Sequence, residues 1–249
     1  MPAVRVDGAY PNAAEYKILA SGERNYTHYY DTSTYTSLWV AYPLEPNHMG
    51  DFARPSSWSY NPAISTSDQI NICNSSYDST THDRGHLIPN ASRNGIEAMQ
   101  LQTFYVTNAV PQNSSFNGGV WNQLETAVRN LCKEKNELIY VVTGVAFAKV
   151  GETKSISYAT TKNDTRQIPI PNYFYKLVMR VKLDGSTVAN ASTVGFWFEN
   201  AVPANSYTSY SVSVDEVEEW TGFDFFANLP DDIEKVAETN SSWIALSNF

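Results

Sequence analysis

Residues 81–90 of this 249-residue chain read Thr81-His82-Asp83-Arg84-Gly85-His86-Leu87-Ile88-Pro89-Asn90. Because Gly85 and Pro89 both disfavour a helix, the segment predicts an extended strand. In a strand, His82 and His86 would lie about 13 Å apart, too far to share one metal ion. An imidazole has an ordinary pKa of about 6.5, so a single histidine here could accept a proton from water near pH 7. The pattern therefore favours His86 as a base over a pair of histidine metal ligands.

A second informative stretch follows, from Thr103 to Arg129. Leu101 to Val110 alternates well enough to predict a strand that ends at Pro111. From Gly118 to Lys135 the apolar positions recur at helical spacing, which predicts one amphipathic helix: Trp121, Leu124, Val128 and Leu131. Strand, strand and helix in this order make a ββα unit.

These motifs together resemble the DNA/RNA non-specific endonuclease family. Asp-Arg-Gly-His alone is a weak signal, but three further segments follow it at matching spacing: Asn108-Ala109-Val110-Pro111-Gln112, Asn117-Gly118-Gly119-Val120-Trp121 and Leu124-Glu125. The resemblance runs from about Asn25 to about Leu229. It implies an α+β fold, a ββα-metal nuclease core in which a central, mostly antiparallel sheet is covered by helices and long loops. Since no repeat and no linker is visible, we expect one domain over residues 1–249.

The resemblance also implies roles for individual side chains. His86 would be the general base, and the other catalytic residues would be Arg54, Glu125 and Asn108. Contacts to the substrate would come from Arg84, Arg129 and Gln112. For Arg54 and Arg84 the alternative is an arginine paired within the fold, and for Glu125 with Arg129, four residues on, it is a surface ion pair.

Asn117 is the candidate ligand for Mg²⁺, or for Mn²⁺ in its place. An amide oxygen is a hard donor, and Mg²⁺ keeps several waters while using few protein ligands. The resemblance implies that Glu125 orders water on this ion. Alternatively, Asn117 caps the helix that starts at Gly118, a common role for asparagine, and one residue could do both.

The implied activity is hydrolysis of DNA and RNA to 5′-phosphorylated products, with little sequence preference because phosphate and not a base edge is bound. One alternative is a catalytically silent member that binds nucleic acid or a protein inhibitor, against which His86, Asn117 and Glu125 count. Another is a secreted glycan-binding domain, suggested by the 13% aromatic content. Most of those aromatic residues fall in strand patterns, where packing explains them.

Composition restricts how nucleic acid could be held. The formal net charge is −9, which argues against a broad basic surface, so a few arginines, Arg54 and Arg129 first, must contact phosphate. Leu138 to Ala148, the longest uncharged apolar run, is shorter than the roughly 20 residues that span a bilayer, so no membrane contact is expected. With 17% charged residues and 16 tyrosines, the chain fits a secreted or periplasmic protein whose signal sequence is absent here.

Other segments predict the remaining elements. Ala13 to Ala20 predicts a short helix, residues 25–43 a β-hairpin, and Glu45 to Thr80 a long loop. Three later strands are expected: Leu138–Thr143 as the clearest, Tyr173–Leu183 as the longest and Val194–Phe198 as the shortest. Because these runs are apolar on both faces, the sheet should be covered on both sides.

Two local features complete the sequence. Ser213 and Glu216 form a capping box that begins a helix, and Gly222 ends it. Cys73 and Cys132 fit neither a metal knuckle nor a redox pair, which leaves a disulfide or two thiols.

Overall fold

The computed structural model describes residues 2–4 and 10–249, with thirteen strands in the described part. Along the chain they are β1 (Ala3–Val4), β2 (Ala13–Ala20), β3 (Glu23–Asp31), β4 (Thr36–Leu44), β5 (His82–His86), β6 (Ala109–Asn113), β7 (Ile139–Ala146), β8 (Ser157–Thr161), β9 (Asp164–Ile170), β10 (Tyr173–Asp184), β11 (Thr187–Glu199), β12 (Ser211–Val212) and β13 (Phe223–Asp224). The helices are α1 (Glu97–Gln102), α2 (Ser114–Phe116), α3 (Asn122–Lys135), α4 (Val214–Thr221), α5 (Asp231–Ala237) and α6 (Trp243–Asn248). None of the described helices is long and apolar enough to cross a membrane.

Seven strands form the central sheet, in the order β12-β11-β10-β7-β4-β3-β2, and every neighbouring pair is antiparallel. The other strands make two-stranded ribbons: β5 with β6, β8 with β9 and β1 with β13. An antiparallel sheet with helices and long loops confirms the predicted α+β class and the hairpin over residues 25–43.

Both faces of the central sheet are buried, as predicted. On one face Val141, Phe174 and Phe196 pack with α3 and with Val110 of β6. Their neighbours in sequence, Val142, Tyr175 and Trp197, point the other way and pack with α4 and α5. The period-two alternation of strand side chains thus places the ββα unit on one side of the sheet and the C-terminal helices on the other.

A third apolar cluster lies under the long loop that precedes β5. It contains Trp58, Ile70 and Ile72 of the loop, together with Phe104 and Ile168 of β9. The loop between Glu45 and Thr80 is irregular except for 3₁₀ turns at Pro46–His48 and Thr66–Asp68, which agrees with the prediction.

The predicted helix over Ala13–Ala20 is wrong, because these residues form strand β2. Ile18 and Ala20 are buried while Leu19 between them is exposed, and β3 supplies the hydrogen-bonding edge. The segment is rich in strong helix formers, yet pairing with β3 and burial of one face outweigh that local helical propensity.

The predicted strand from Leu101 to Val110 is misplaced. Residues up to Gln102 belong to α1, and β6 begins at Ala109 and continues through Pro111. Proline lacks the backbone N–H that a paired strand edge needs. It is tolerated here because β6 pairs only with β5, so the other edge of β6 has no neighbouring strand to which an N–H would donate. The predicted strand lengths are also wrong, since β11 (Thr187–Glu199), expected as the shortest, is longer than β10.

The remaining local predictions hold. α3 extends to Lys135, preceded by a π-helical turn at Asn117–Trp121. α4 has the Ser213–Glu216 capping box and ends at Gly222 in the left-handed conformation. Cys73 and Cys132 are both free thiols, so the disulfide alternative is wrong, and the Cys132 thiol instead donates to the Leu44 carbonyl at 3.4 Å.

Candidate active site

The Asp-Arg-Gly-His motif is strand β5, which pairs with β6 so that His86 lies opposite Ala109 and Asp83 opposite Gln112. A side chain on Gly85 would overlap that of Gln112, so the motif needs glycine for close approach of the two strands. His82 and His86 occupy opposite ends of the strand. His82 is bonded through Nδ1 to the hydroxyls of Ser79 and Thr81, away from His86.

His86 lies against two aromatic rings, with centroid distances of 4.6 Å to Trp58 and 5.0 Å to Phe104. Its Nε2 is buried and has no hydrogen-bond partner among the described residues. Burial lowers the pKa of His86 to about 3, and the positive charges of Arg54 and Arg84 contribute in the same direction. The imidazole is therefore neutral at pH 7 and able to accept a proton.

The two arginines near His86 differ in how they are held. Arg84 Nη1 donates to the Ile72 carbonyl at 2.8 Å, and its guanidinium carbon lies 5.0 Å from the Trp58 ring. Arg54 is exposed and lies 5.0 Å from the Phe104 ring. Arg84 is thus anchored to the fold by a hydrogen bond, whereas Arg54 is an exposed residue whose guanidinium lies over the Phe104 ring.

Asn117 is oriented by an acidic residue of the motif. Its Nδ2 donates to Asp83 Oδ2 at 3.1 Å, and the other oxygen of Asp83 accepts from the Ser114 hydroxyl at 2.8 Å. With the amide nitrogen used in this way, the Asn117 oxygen is left to bind a cation. A side chain on the adjacent Gly118 would meet nothing within 4 Å, so there is open space beside Asn117.

The alternative that Asn117 is a helix cap is wrong. The cap of this helical segment is Asn113, whose side chain accepts from the Phe116 backbone N–H at 3.1 Å. Asn117 itself has helical backbone angles and lies inside the segment. Its side chain is therefore used for the contact with Asp83 and not for the helix end.

Glu125 and Arg129 lie on α3, and their side chains are only 12% and 13% exposed, with 3.8 Å between Arg129 Nη1 and Glu125 Oε2. The predicted ion pair between positions four apart is therefore present, but it is largely buried and does not lie at the surface. Burial raises the pKa of Glu125, and the charges of Lys176, Arg129 and Arg54 oppose that rise.

Lys176 is a functional candidate that the sequence did not reveal. It is buried on β10, donates to the Thr143 hydroxyl and places its ammonium 4.7 Å from the Trp121 ring. Its partners come from β7 and from the π-helical turn, which are distant in sequence. The one available signal was a charged residue inside an apolar strand.

Asn108 and Gln112 behave differently from each other. The Asn108 amide is buried and bonded to the backbone of Ile88 and Thr103, which favours a role in holding the chain after β5. Gln112 is also buried, yet neither polar atom of its side chain has a partner among the described residues. A buried amide of this kind needs a water or a ligand to satisfy it.

The structure thus forms three groups: His86 with Arg54 and Arg84, Asn117 with Asp83, and Glu125 with Arg129. Arg54 connects the first and third, since its charge acts on both His86 and Glu125. No contact between described residues joins Asn117 directly to His86, although Asp83 and His86 belong to the same strand. Within the described chain, the one cluster of three acidic, histidine or cysteine ligands is remote in sequence: Asp215, Glu218 and Glu238.

The sequence and the fold are similar to those of known nucleases. The family model for DNA/RNA non-specific endonucleases matches residues 13–232. A nuclease of Nostoc sp. (strain PCC 7120) is 27% identical over 215 residues, which cover 84% of this chain and 74% of that protein. The mitochondrial nuclease EXOG of Danio rerio is 29% identical over 206 residues, 80% of this chain and 58% of its own length.

A solved structure of the EndoG/EndoGI complex contains a chain of the same fold. Its TM-score is 0.74 at 21% sequence identity, and the match covers 89% of this chain and 90% of that one. This likeness establishes the fold, and the family model establishes the relationship, since it spans most of the sequence. The chain belongs to the DNA/RNA non-specific endonuclease family.

Proposed function

We propose that this nuclease hydrolyses phosphodiester bonds of both DNA and RNA, with His86 as general base, and leaves 5′-phosphorylated ends. The observation that carries the proposal is the setting of His86: its buried Nε2 has no hydrogen-bond partner among the described residues, and the charges of Arg54 and Arg84 act on the ring. A general base needs an unprotonated nitrogen that can accept a hydrogen bond from the attacking water, and the unpartnered Nε2 of His86 can do so.

In this proposal His86 takes a proton from the attacking water. The exposed side chain of Arg54 and the largely buried side chain of Arg129 bind the non-bridging phosphate oxygens, where charge accumulates in the transition state. Arg84 and the unsatisfied amide of Gln112 supply further contacts to the substrate. Because the contacts are to phosphate, the enzyme would accept DNA and RNA substrates of any base sequence.

Asn117 is the residue that would hold a Mg²⁺ ion. The site fits one because Asp83 fixes the amide, the amide oxygen is a hard neutral donor and open space adjoins Gly118. When bound, Mg²⁺ supplies Lewis-acid stabilisation of the leaving oxygen. Glu125, held by Arg129 on the same helix, would accept hydrogen bonds from water on the ion.

The test is nicking of plasmid DNA and cleavage of single-stranded RNA, with Mg²⁺ and with EDTA. We expect cleavage of both substrates that EDTA abolishes, and 5′-phosphate ends identified by their ligation without prior phosphorylation. His86→Ala should lose at least about a hundredfold in rate, and the matched control His82→Ala should stay within a small factor. Equal loss in both variants, accompanied by loss of metal binding, would replace the general base with a histidine-ligated metal.

The same assay addresses the silent-member alternative. A chain that retards DNA in a gel but cleaves neither substrate at any Mg²⁺ or Mn²⁺ concentration would be a binding protein of the same fold.

A further inference from the structure

One side chain in the exposed segment before β5 is buried. Residues 51–60 are exposed or half-buried except for Trp58, which is 7% exposed. The backbone beside it is held in place, because Ser59 N–H donates to the Phe104 carbonyl at 3.0 Å and Val106 N–H donates to the Ser59 carbonyl at 2.9 Å. The indole is therefore held beside Phe104 by two backbone hydrogen bonds.

The rings of Trp58 and Phe104 separate the base from the two arginines. The ring centroids of Trp58 and His86 are 4.6 Å apart, and the angle between the two ring planes is 47°. The guanidinium carbon of Arg84 lies 5.0 Å from the centroid of the same indole. The ring centroids of Phe104 and His86 are 5.0 Å apart. The guanidinium carbon of Arg54 also lies 5.0 Å from the Phe104 centroid. Each ring thus touches the imidazole and one guanidinium, and the two rings contact each other at 5.1 Å.

An indole is the strongest aromatic partner for a cation, and the attraction grows where water is excluded. Trp58 therefore attracts Arg84 while its packing removes water from one side of His86. The charged groups that act on His86 are Arg54 from the loop and Arg84 from β5, both positive, and a hydrogen bond to the Arg84 backbone is the only opposing effect. Among the described residues, no acidic side chain raises the pKa of His86.

We propose that Trp58 is a positioning residue for catalysis: by contacting both groups, it fixes the distance between the general base His86 and the phosphate-binding Arg84. The inference rests on the proposed function for the roles of these two residues, and adds a residue to which no role in the reaction is otherwise assigned. A general base acts only within hydrogen-bond reach of the water it activates, so loosening the ring should lower the rate of the bound complex.

The test compares Trp58→Leu, which keeps an apolar side chain but removes the aromatic face, with Trp58→Phe, which keeps a ring. Trp197→Leu is the matched control, since Trp197 is 8% exposed and packs on the opposite face of the sheet. We measure kcat and KM on DNA, the melting temperature, and the pKa of His86 from its ring C2–H resonance, assigned with His86→Ala.

We expect Trp58→Leu to lower kcat by about ten- to a hundredfold and to move the pKa of His86 upward towards the ordinary value of about 6.5. Trp58→Phe should lie between this variant and the wild type. Trp197→Leu should lower the melting temperature while kcat and the His86 titration stay unchanged. If Trp58→Leu does not fold, the same comparison is made with Trp58→Phe alone.

The inference is overturned if Trp58→Leu and Trp58→Phe leave kcat and the His86 titration unchanged, or if Trp197→Leu shifts them equally. Its failure is distinguishable from failure of the proposed function. A wild type that cleaves no nucleic acid removes the proposed function, while a titration altered by Trp58→Leu in that same protein would still show that Trp58 controls His86.

Discussion

Asp83 connects the motif strand to the candidate metal ligand Asn117, which gives the acidic residue of the motif a role beside that of the proposed base His86. One carboxylate oxygen accepts from Asn117 and the other from Ser114, so the carboxylate fixes which way the Asn117 amide faces. An amide free to rotate would present its nitrogen and its oxygen to a cation about equally. Asp83 would therefore favour metal binding by orienting the Asn117 amide.

We predict that Asp83→Ala weakens the apparent affinity for Mg²⁺ by about ten- to a hundredfold, as is usual when the partner of a metal ligand is removed. The measurement is a Mg²⁺ titration of the cleavage rate. Ser114→Ala is the control, because it removes the other bond to Asp83 and leaves the Asn117 contact in place. If both variants titrate like the wild type, Asp83 does not orient the ligand.

At the scale of elements, the central sheet separates helices that stabilise the fold from the helix that bears the site. α3 packs on one face with Val141 and Phe174, whereas α4 packs on the other through Val214 and Val217. Changes in α4 should therefore affect stability without reaching the candidate site. The capping box of α4 allows this expectation to be tested with one substitution, because Ser213 Oγ accepts a hydrogen bond from the Glu216 N–H at 3.1 Å.

We expect Ser213→Ala to lower the free energy of unfolding by about 1 kcal/mol, the usual cost of losing an N-cap. Urea denaturation should show a lower midpoint with an unchanged slope, and kcat on DNA should equal that of the wild type. Ser241→Ala, at an exposed serine near the C-terminus, should leave the midpoint where it is. A large loss of activity in Ser213→Ala would show that the two faces of the sheet are coupled.

For the molecule as a whole, buried histidines make stability depend on pH. Burial lowers the pKa of His28 to about 3, that of His48 to about 4 and that of His86 to about 3. In the unfolded chain each would have a pKa of about 6.5, so the unfolded state binds more protons in acid. The contribution of these residues is complete above about pH 6.5 and is lost as the pH falls towards the folded values.

Glu238 contributes with the opposite sign. Burial and the neighbouring carboxylates raise its pKa to about 9, so its contribution is complete below its unfolded pKa and is lost as the pH rises towards 9. The pH dependence of the wild-type unfolding free energy is therefore a sum of opposing contributions. Comparing the wild type with a variant that lacks one histidine isolates the contribution of that residue.

His28 is the residue to change, since it is fully buried and its Nδ1 bonds to the Ser37 hydroxyl at 2.7 Å. We predict that His28→Gln flattens the fall in unfolding free energy between pH 6.5 and pH 5 by up to about 1.4 kcal/mol per pH unit, the value for one proton. Denaturant melts at several pH values measure this slope. Burial also lowers the pKa of the half-buried His82, so we expect His82→Gln to flatten the slope less than His28→Gln does, and equal flattening would refute the assignment.

What the sequence by itself determined are the parts whose causes are local. Helical spacing predicted α3 correctly, the Ser213–Glu216 pair predicted the start of α4, and Gly85 with Pro89 predicted a strand at the motif. The resemblance, carried by short motifs at matching spacing, identified the family and named His86 and Asn117. Each of these signals needs only a few neighbouring residues, so it survives without knowledge of the fold.

Only the tertiary structure decided the parts whose causes lie far along the chain. Ala13–Ala20 is a strand because it pairs with the edge of β3. Pro111 is tolerated inside β6 because β6 pairs with β5 on one side only, which leaves its other edge unpaired. Trp58, which contacts His86, and Lys176, which contacts Trp121, both lie outside the sequence motifs that identified the site. Pairing and burial between distant segments outweigh local propensities of a few tenths of a kcal/mol per residue, and a single sequence carries no record of which segments will meet.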